Sequence, residues 1–402
     1  MGSTAKTRGT IGILTGGGDV PGLNPAIRAI TVRALREGYR VLGIRHGWGG
    51  LVDYQRDSSD SQSDFVIELS EELVNKVGRT GGTFLHTSRT RPSHVPLARV
   101  PAHYNNRYGD KINDLTPDVL ANIERLGIDT LIPIGGDDTL SYGVRLHQEG
   151  IRVIAMPKTM DNDVPGTDYC IGFSTCVTRT IEMTHALRTS AGSHERFLVI
   201  EVFGRYAGFT ALLPTMAGAA NRCVIPEHPF DIEHLCELLT ADRYSNPSRY
   251  SVVLVSEGAT FVGQENMVYE NQESDMFGHK KLGGIGDLVS RKLKDLSPKY
   301  NNGRKIDVIN QRLGYLVRCG FPDTLDSIVP MAFGNLAMDL ILDGASGRLV
   351  NLRDGRYDNA PIDVVTSRKK VVDVHKFYSV DRLRPIFESF ENKPFLIMTS
   401  DS

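Results

Sequence analysis

Three loops in the sequence carry residue types suited to holding phosphate and moving a proton. The first is Thr15-Gly16-Gly17-Gly18-Asp19-Val20-Pro21-Gly22. Glycines let backbone N–H groups approach an anion, and a helix N-terminus behind them favours negative charge. The same run would equally make a tight strand-to-helix turn with no ligand. It matches neither the Walker pattern nor GxGxxG. The second loop is Gly135-Gly136-Asp137-Asp138-Thr139. Adjacent carboxylates beside an anion cradle make chemical sense with Mg²⁺, which takes one or two carboxylates plus phosphate oxygens and water. Asp137 is the better ligand candidate, and helix capping by one of the two Asp residues is the plainer alternative. The third is Pro157-Lys158-Thr159-Met160-Asp161-Asn162-Asp163. It offers a cation for phosphate charge and a carboxylate base for a hydroxyl proton, or simply a polar turn.

Scattered basic residues form a fourth set: Arg89, Arg196, Arg205 in a Gly-Arg turn, and Arg318, read as a strand end. Each could grip phosphate bidentately, and each alone reads as a solvated surface group. Glu257 and Glu227 also fall near strand ends. His185 and His194 are too far apart to share a metal on one helix face. Gly283-Gly284-Ile285-Gly286 imitates a dinucleotide fingerprint without the strand it needs.

These loops need a scaffold. Ile11–Leu14, Arg40–Ile44, Asp129–Ile134 and Ile151–Met156 read as strands, alternating with helices from about Pro25 to Glu37, from Thr116 to Gly127, and from the second loop to Gly150. The same grammar continues with a helix over Ser174–Ala191, strand Phe197–Val202, a helix to about Ala217, strand Cys223–Ile225, a helix near Glu233–Leu239 and strand Ser251–Val255. Residues 262–305 read as a polar surface excursion with a helix near Leu288–Leu293. A long helix is expected from Asp323 to Leu342, and the tail from 354 has no derivable placement. Repeated strand–turn–helix units predict parallel sheets covered on both faces. Ligands then collect outside the strands' carboxyl ends, where the loops lie.

The 402 residues suggest two or three domains, and 40% hydrophobic with 23% charged residues excludes wholesale disorder. Lys+Arg 46 against Asp+Glu 48 leaves no basic excess to hold a nucleic acid backbone. No apolar run of membrane-spanning length is read, and the first ten residues lack a secretory h-region. Five scattered cysteines read as reduced thiols. The expected setting is cytoplasmic.

Eight ordered motifs make the pattern specific: TGGGDVPGLNPAIR at 15–28, GGTFLHTSR at 81–89, IGGDDT at 134–139, PKTMDND at 157–163, GTDYCIGFST at 166–175, HERFLVIEVFGRYAG at 194–208, VIPE at 224–227 and LGYLVR at 313–318. With them the chain resembles the phosphofructokinases from about Ile11 to Gly344. The resemblance implies phosphoryl transfer to the 1-hydroxyl of fructose 6-phosphate. It implies two doubly wound α/β domains with the site in the cleft between them, the larger covering 1–165 and 330–402 and the smaller 166–329. Gly18 and Arg89 would touch the donor, Asp137 would hold Mg²⁺, and Asp161 would be the base. Thr159, Met160, Phe203, Gly204, Arg205 and Glu227 would hold the sugar, and Tyr315, Leu316, Val317 and Arg318 its phosphate side. Arg196 resembles the residue that reaches a neighbouring subunit's site, which implies a homodimer or homotetramer.

Asp138 and Lys158 match the family's pyrophosphate-dependent members; ATP-dependent members usually have Gly at both places. A carboxylate at Asp138 would meet the α-phosphate of ATP with like charge and bulk, while Lys158 could stabilise the moving phosphoryl group. The reaction would then be near-reversible. ATP-dependent phosphofructokinase is the near rival. A non-catalytic sugar-phosphate sensor and an NAD- or lipid-kinase-like protein are more distant ones. The sequence departs from the family at Ile309, where an Arg for the sugar phosphate is common, at Cys319-Gly320 and at 322–329. Arg312 is a nearby substitute, and sedoheptulose 7-phosphate is an alternative acceptor.

Overall fold

The computed structural model describes residues 7–55, 64–264, 266–274, 280–386, 388–389 and 391–392. In chain order its principal elements are β1 (Thr10–Thr15), α1 (Leu23–Arg36), β2 (Arg40–Ile44), β3 (Val66–Glu68), α2 (Thr116–Arg125), β4 (Thr130–Gly135), α3 (Asp137–Gln148), β5 (Arg152–Pro157), α4 (Phe173–Ser193), β6 (Phe197–Val202), α5 (Phe209–Met216), β7 (Arg222–Val224), α6 (Ile232–Ser245), β8 (Ser251–Ser256), α7 (Ile285–Tyr300), β9 (Val308–Arg312), α8 (Thr324–Leu342), β10 (Arg348–Arg353) and β11 (Arg356–Pro361). The chain divides into two compact units. The first comprises Met1–Thr159, Val164–Gly172 and Cys319–Lys369, and the second Met160–Asp163, Phe173–Arg318 and Lys370–Ser402.

The first unit holds a seven-stranded sheet ordered β11-β10-β5-β4-β1-β2-β3. Its five inner strands are parallel, and the edge strands β11 and β3 run antiparallel. All six residues of β1 and of β4 are buried, as expected of parallel strands covered on both faces. Helix α1 turns Leu23, Ile27, Ile30 and Ala34 inward at helical spacing. It starts two residues before the sequence suggests, because Pro25 in a first turn lacks only an N–H that would have no intrahelical partner.

Helix α8 is a correction to the expectation that no apolar segment reaches membrane-spanning length. It has 19 residues and enough hydropathy to pass that test. Here it packs on α1 and buries Val329, Phe333, Ala337 and Met338. Its Asp323 cap accepts from the Asp326 N–H at 3.0 Å.

The second unit holds a four-stranded all-parallel sheet ordered β9-β6-β8-β7. Two of its elements differ from the sequence reading. Helix α7 is sixteen residues long and buries Ile285, Val289 and Leu293 against α6 and β9, so residues 285–300 belong to the core. Strand β9 pairs along the edge through Val308↔Phe197 to Arg312↔Glu201. Arg318 therefore does not end a strand; it caps the short 3₁₀ helix Gly314–Val317.

The tail also differs. Its residues up to 369 stay with the first unit, but the described residues from 370 on join the second. The Cys223 N–H donates to the Leu383 carbonyl (2.8 Å) and the Tyr378 hydroxyl to the Cys223 carbonyl (2.8 Å). In the other direction, 166–172 and 319–329 belong to the first unit, where Tyr169 and the Gly172 N–H both bond Asp326 (2.6 and 2.7 Å).

Candidate active site

In the first unit, the end of β1 and the segment 81–89 are stitched together. Thr15 Oγ1 donates to the His86 carbonyl (2.9 Å), the Gly17 N–H to the Ser88 carbonyl (2.9 Å), and Thr87 Oγ1 to the Gly17 carbonyl (2.7 Å). The Gly16 N–H donates to the Ile134 carbonyl at 3.0 Å. The N–H groups of Gly16 and Gly17 are thus already used inside the protein. Glycine is required here for a different reason. A Cβ on Gly16 would lie 2.4 Å from Thr139 Oγ1, and one on Gly135 would lie 2.4 Å from Thr139 Cβ. Both glycines make room for Thr139, which interlocks the first two loops. Gly17, at φ 79, is the position that needs left-handed backbone.

Lys158 is 3% exposed, and its Nζ donates to the Gly18 carbonyl at 2.6 Å. Its ammonium therefore lies against the glycine loop. Asp137 opens α3, with Oδ1 accepting from the Asp138 N–H at 2.9 Å. Its carboxyl is reached by solvent yet hemmed in by protein; lost solvation, then Asp138, raise its pKa above the ordinary value. Asp138 forms an ion pair with Arg91, both half-exposed. Arg91 was not singled out in the sequence. Arg89 sits exposed at the end of the stitched segment, and Thr159 closes the unit's part of the third loop.

The second unit gathers Asp161, Arg205, Glu257 and Arg318. Burial first, then Asp163 and Glu257, hold the Asp161 carboxyl well above the usual carboxylate range, while Arg318 and Arg205 oppose them. Glu257 is pushed up to about 7 by burial against the pull of Arg205. Backbone geometry fixes the turn that carries Arg205. Gly204 has φ 119, and a Cβ there would lie 2.8 Å from the Ala207 carbonyl. The Glu257 N–H donates to the Val202 carbonyl (2.9 Å) and the Gly258 N–H to the Gly204 carbonyl (3.1 Å), tying the β6 and β8 ends together. Arg318 is 8% exposed, with its guanidinium carbon 6.0 Å from the Phe203 ring centre and 5.5 Å from that of Tyr315. The sequence reading placed Glu257 near a strand end but gave it no role. It directly follows the carboxyl end of β8, as that reading had it.

Glu227 also belongs to this unit. Its Oε1 accepts from the N–H groups of Gly208 (2.9 Å) and Val372 (2.7 Å), and burial raises its pKa. Tyr315 is 74% exposed and Leu316 is exposed, whereas Val317 is fully buried, so its side chain serves the core. Arg312 donates Nε to the buried Glu201 at 2.9 Å, which ties it into the fold. Arg196 follows α4, its N–H bonded to the Ala191 carbonyl at 3.0 Å, and Met160 lies beside Asp161 in the third loop.

Comparison with known proteins agrees with the eight-motif resemblance. Residues 10–341 match the family described as Phosphofructokinase. The chain is 36% identical over 365 residues, 90% of its length and 96% of the relative's, to "Pyrophosphate--fructose 6-phosphate 1-phosphotransferase" of Streptomyces coelicolor. It is 34% identical over 365 residues, again 90% and 96%, to "ATP-dependent 6-phosphofructokinase 3" of the same organism. Its fold superposes with TM-score 0.70 and 20% identity on the crystal structure of the pyrophosphate-dependent phosphofructokinase from Marinobacter aquaeolei, covering 94% of this chain and 89% of that one. On these matches the chain belongs to the phosphofructokinase family.

Proposed function

We propose that the protein transfers a phosphoryl group reversibly from pyrophosphate to the 1-hydroxyl of fructose 6-phosphate, giving fructose 1,6-bisphosphate and phosphate. Asp161 takes the hydroxyl proton as the new O–P bond forms and the bond to the leaving phosphate breaks. Its raised pKa suits that task, since burial favours the protonated form it becomes. Arg205 and Lys158 absorb charge on the transferring group. Glu257, Arg205, Phe203, Gly204, Thr159 and Met160 hold the sugar, and Arg318 with Tyr315 its phosphate. Asp137 fits a Mg²⁺ ion: it is a reachable carboxylate whose ionised form a cation would favour. Among the described residues no cluster of three or more His, Cys, Asp or Glu could hold a metal, so phosphate oxygens and water would fill the remaining positions, as Mg²⁺ accepts. When bound, the ion neutralises charge on the donor. Gly18 and Arg89 contact the donor. Arg196 serves the site of a neighbouring subunit in a homo-oligomer.

The donor assignment rests on the pair Asp138 and Lys158. Lys158 presents a buried ammonium to the glycine loop, and Asp138 adds a carboxylate at the start of α3. The Arg91 ion pair offsets part of the charge that would repel a nucleotide, which leaves bulk as the main barrier to ATP. That pairing, and the similar identity to an ATP-named relative, favour ATP as the second reading. Initial rates with fructose 6-phosphate and Mg²⁺ decide between them. We expect kcat/KM with pyrophosphate to exceed that with ATP about 100-fold or more, a difference that exclusion at one position can supply. A preference for ATP reverses the assignment.

A further inference from the structure

We propose that His46 and His86 are positioning residues for the phosphoryl donor: stacked on one another, they hold the Gly16–Gly18 loop in its receiving shape. The proposal rests on the reading that this loop takes the donor. Both residues sit in the left-handed region, at φ 60 and 58, a conformation that disfavours a residue with a Cβ. Their rings stack at 5.1 Å and 14°, and Phe65 closes the edge of His46 at 6.2 Å. Arg45 Nη2 lies 2.6 Å from His86 Nε2. A guanidinium only donates, so that ring nitrogen is placed to accept.

The backbone of this pair is bolted to the loop on two sides. The His46 carbonyl accepts from Ser88 Oγ (2.7 Å), and the Ser88 carbonyl accepts from the Gly17 N–H (2.9 Å). The His86 carbonyl accepts from Thr15 Oγ1 (2.9 Å), one residue before Gly16. The His46 N–H donates to the Leu85 carbonyl at 2.9 Å, joining the two histidine turns. Protonation of His46 would place a second positive charge beside Arg45, with Asp64 the nearby group that favours it. Burial, then His86 and Arg45, keep the His46 pKa below the ordinary histidine value. With a depressed folded pKa, the neutral arrangement is fully present above the unfolded histidine range and is lost as pH falls through the folded value.

The test is steady-state kinetics of wild type, His46→Asn, His86→Asn and His86→Gly from pH 5.5 to 8, with pyrophosphate and ATP both tried as donor. Asn tolerates left-handed backbone and removes the ring. At pH 7.5 the donor KM should rise about tenfold in each variant, the scale of one lost hydrogen bond, with kcat and the fructose 6-phosphate KM within about twofold. In wild type the donor KM should climb as pH falls below the histidine range, and His46→Asn should lose that climb. Superimposable donor KM profiles overturn the proposal. So does equal loss in donor KM, acceptor KM and Tm, which marks a purely structural pair. His86→Gly relaxes the backbone; wild-type behaviour there shows that the ring has no role and ends the proposal. If neither donor supports turnover, the functional reading fails by itself, and calorimetric binding of pyrophosphate to the same variants decides this one.

Discussion

Glu257 and Asp161 share a difficulty: two carboxylates in a buried place, relieved by Arg205 and Arg318. A folded pKa raised from 4.5 to about 7 means that the fold holds the Glu257 proton more tightly than the unfolded chain does. The stability this contributes is full below the unfolded value and is lost as pH rises through about 7. Glu257→Gln removes that titration. Urea unfolding at pH 5.5 and 8.5 should show wild type losing on the order of 2 kcal/mol more than the variant, within the ~1.4 kcal/mol per unit that such a shift carries. Parallel losses would refute it. Glu257 also raises Asp161, so in the variant the acid limb of kcat/KM should move to lower pH. Asp161, Arg205 and Arg318 could be read from the sequence because each lies in a motif. The setting of Glu227 could not, since its partner Val372 is 145 residues away and no local pattern announces such a bond. Glycine shows the same limit in reverse: Gly16 and Gly135 looked like an anion cradle, and the structure shows that they accommodate one threonine.

At the scale of elements, the interlock of the β1 and β4 ends through Thr139 makes a sharp claim. Gly16→Ala would set a methyl 2.4 and 2.6 Å from Thr139 Oγ1 and Cγ2, and overpacking of this kind costs about 1–3 kcal/mol. Thr139→Ala removes both atoms and leaves Cβ at 3.1 Å. The double variant should therefore recover most of the Gly16→Ala loss, a non-additivity read from a double-mutant cycle in chemical denaturation. Additive losses would show that the loop is glycine-rich for another reason. The strands flanking these loops were legible because they are continuous apolar runs ended by glycine. Strand β9 was not: Asn310, Gln311 and Arg312 make it polar, as a sheet edge permits. Helix α7 was under-read because its inward residues are spaced among charged ones and the polar stretch before it blurs where it starts.

At the scale of the whole molecule, the chain returns to the second unit after residue 369, and that return was illegible. The segment has two-residue strands and a four-residue helix, too short for any periodicity to register. What holds it is tertiary. Phe377 and Tyr378 are buried, the Arg222 guanidinium donates to the Arg382 carbonyl at 2.6 Å, and the Val372 N–H reaches Glu227. The segment therefore supplies partners for β7 and for a buried carboxylate, so loosening it should disturb the second unit selectively. Phe377→Ala removes a fully buried ring at a cost of about 3–5 kcal/mol. In native-state hydrogen exchange, the amides of Val372 and Cys223, which bond Glu227 and the Leu383 carbonyl, should exchange at least about tenfold faster, while those of β1 and β4 in the first unit keep their wild-type protection. Equal loss of protection in both sheets would mean that the tail stabilises the chain as one block. Unchanged protection at Cys223 would mean that its bond to Leu383 does not depend on the anchor at Phe377.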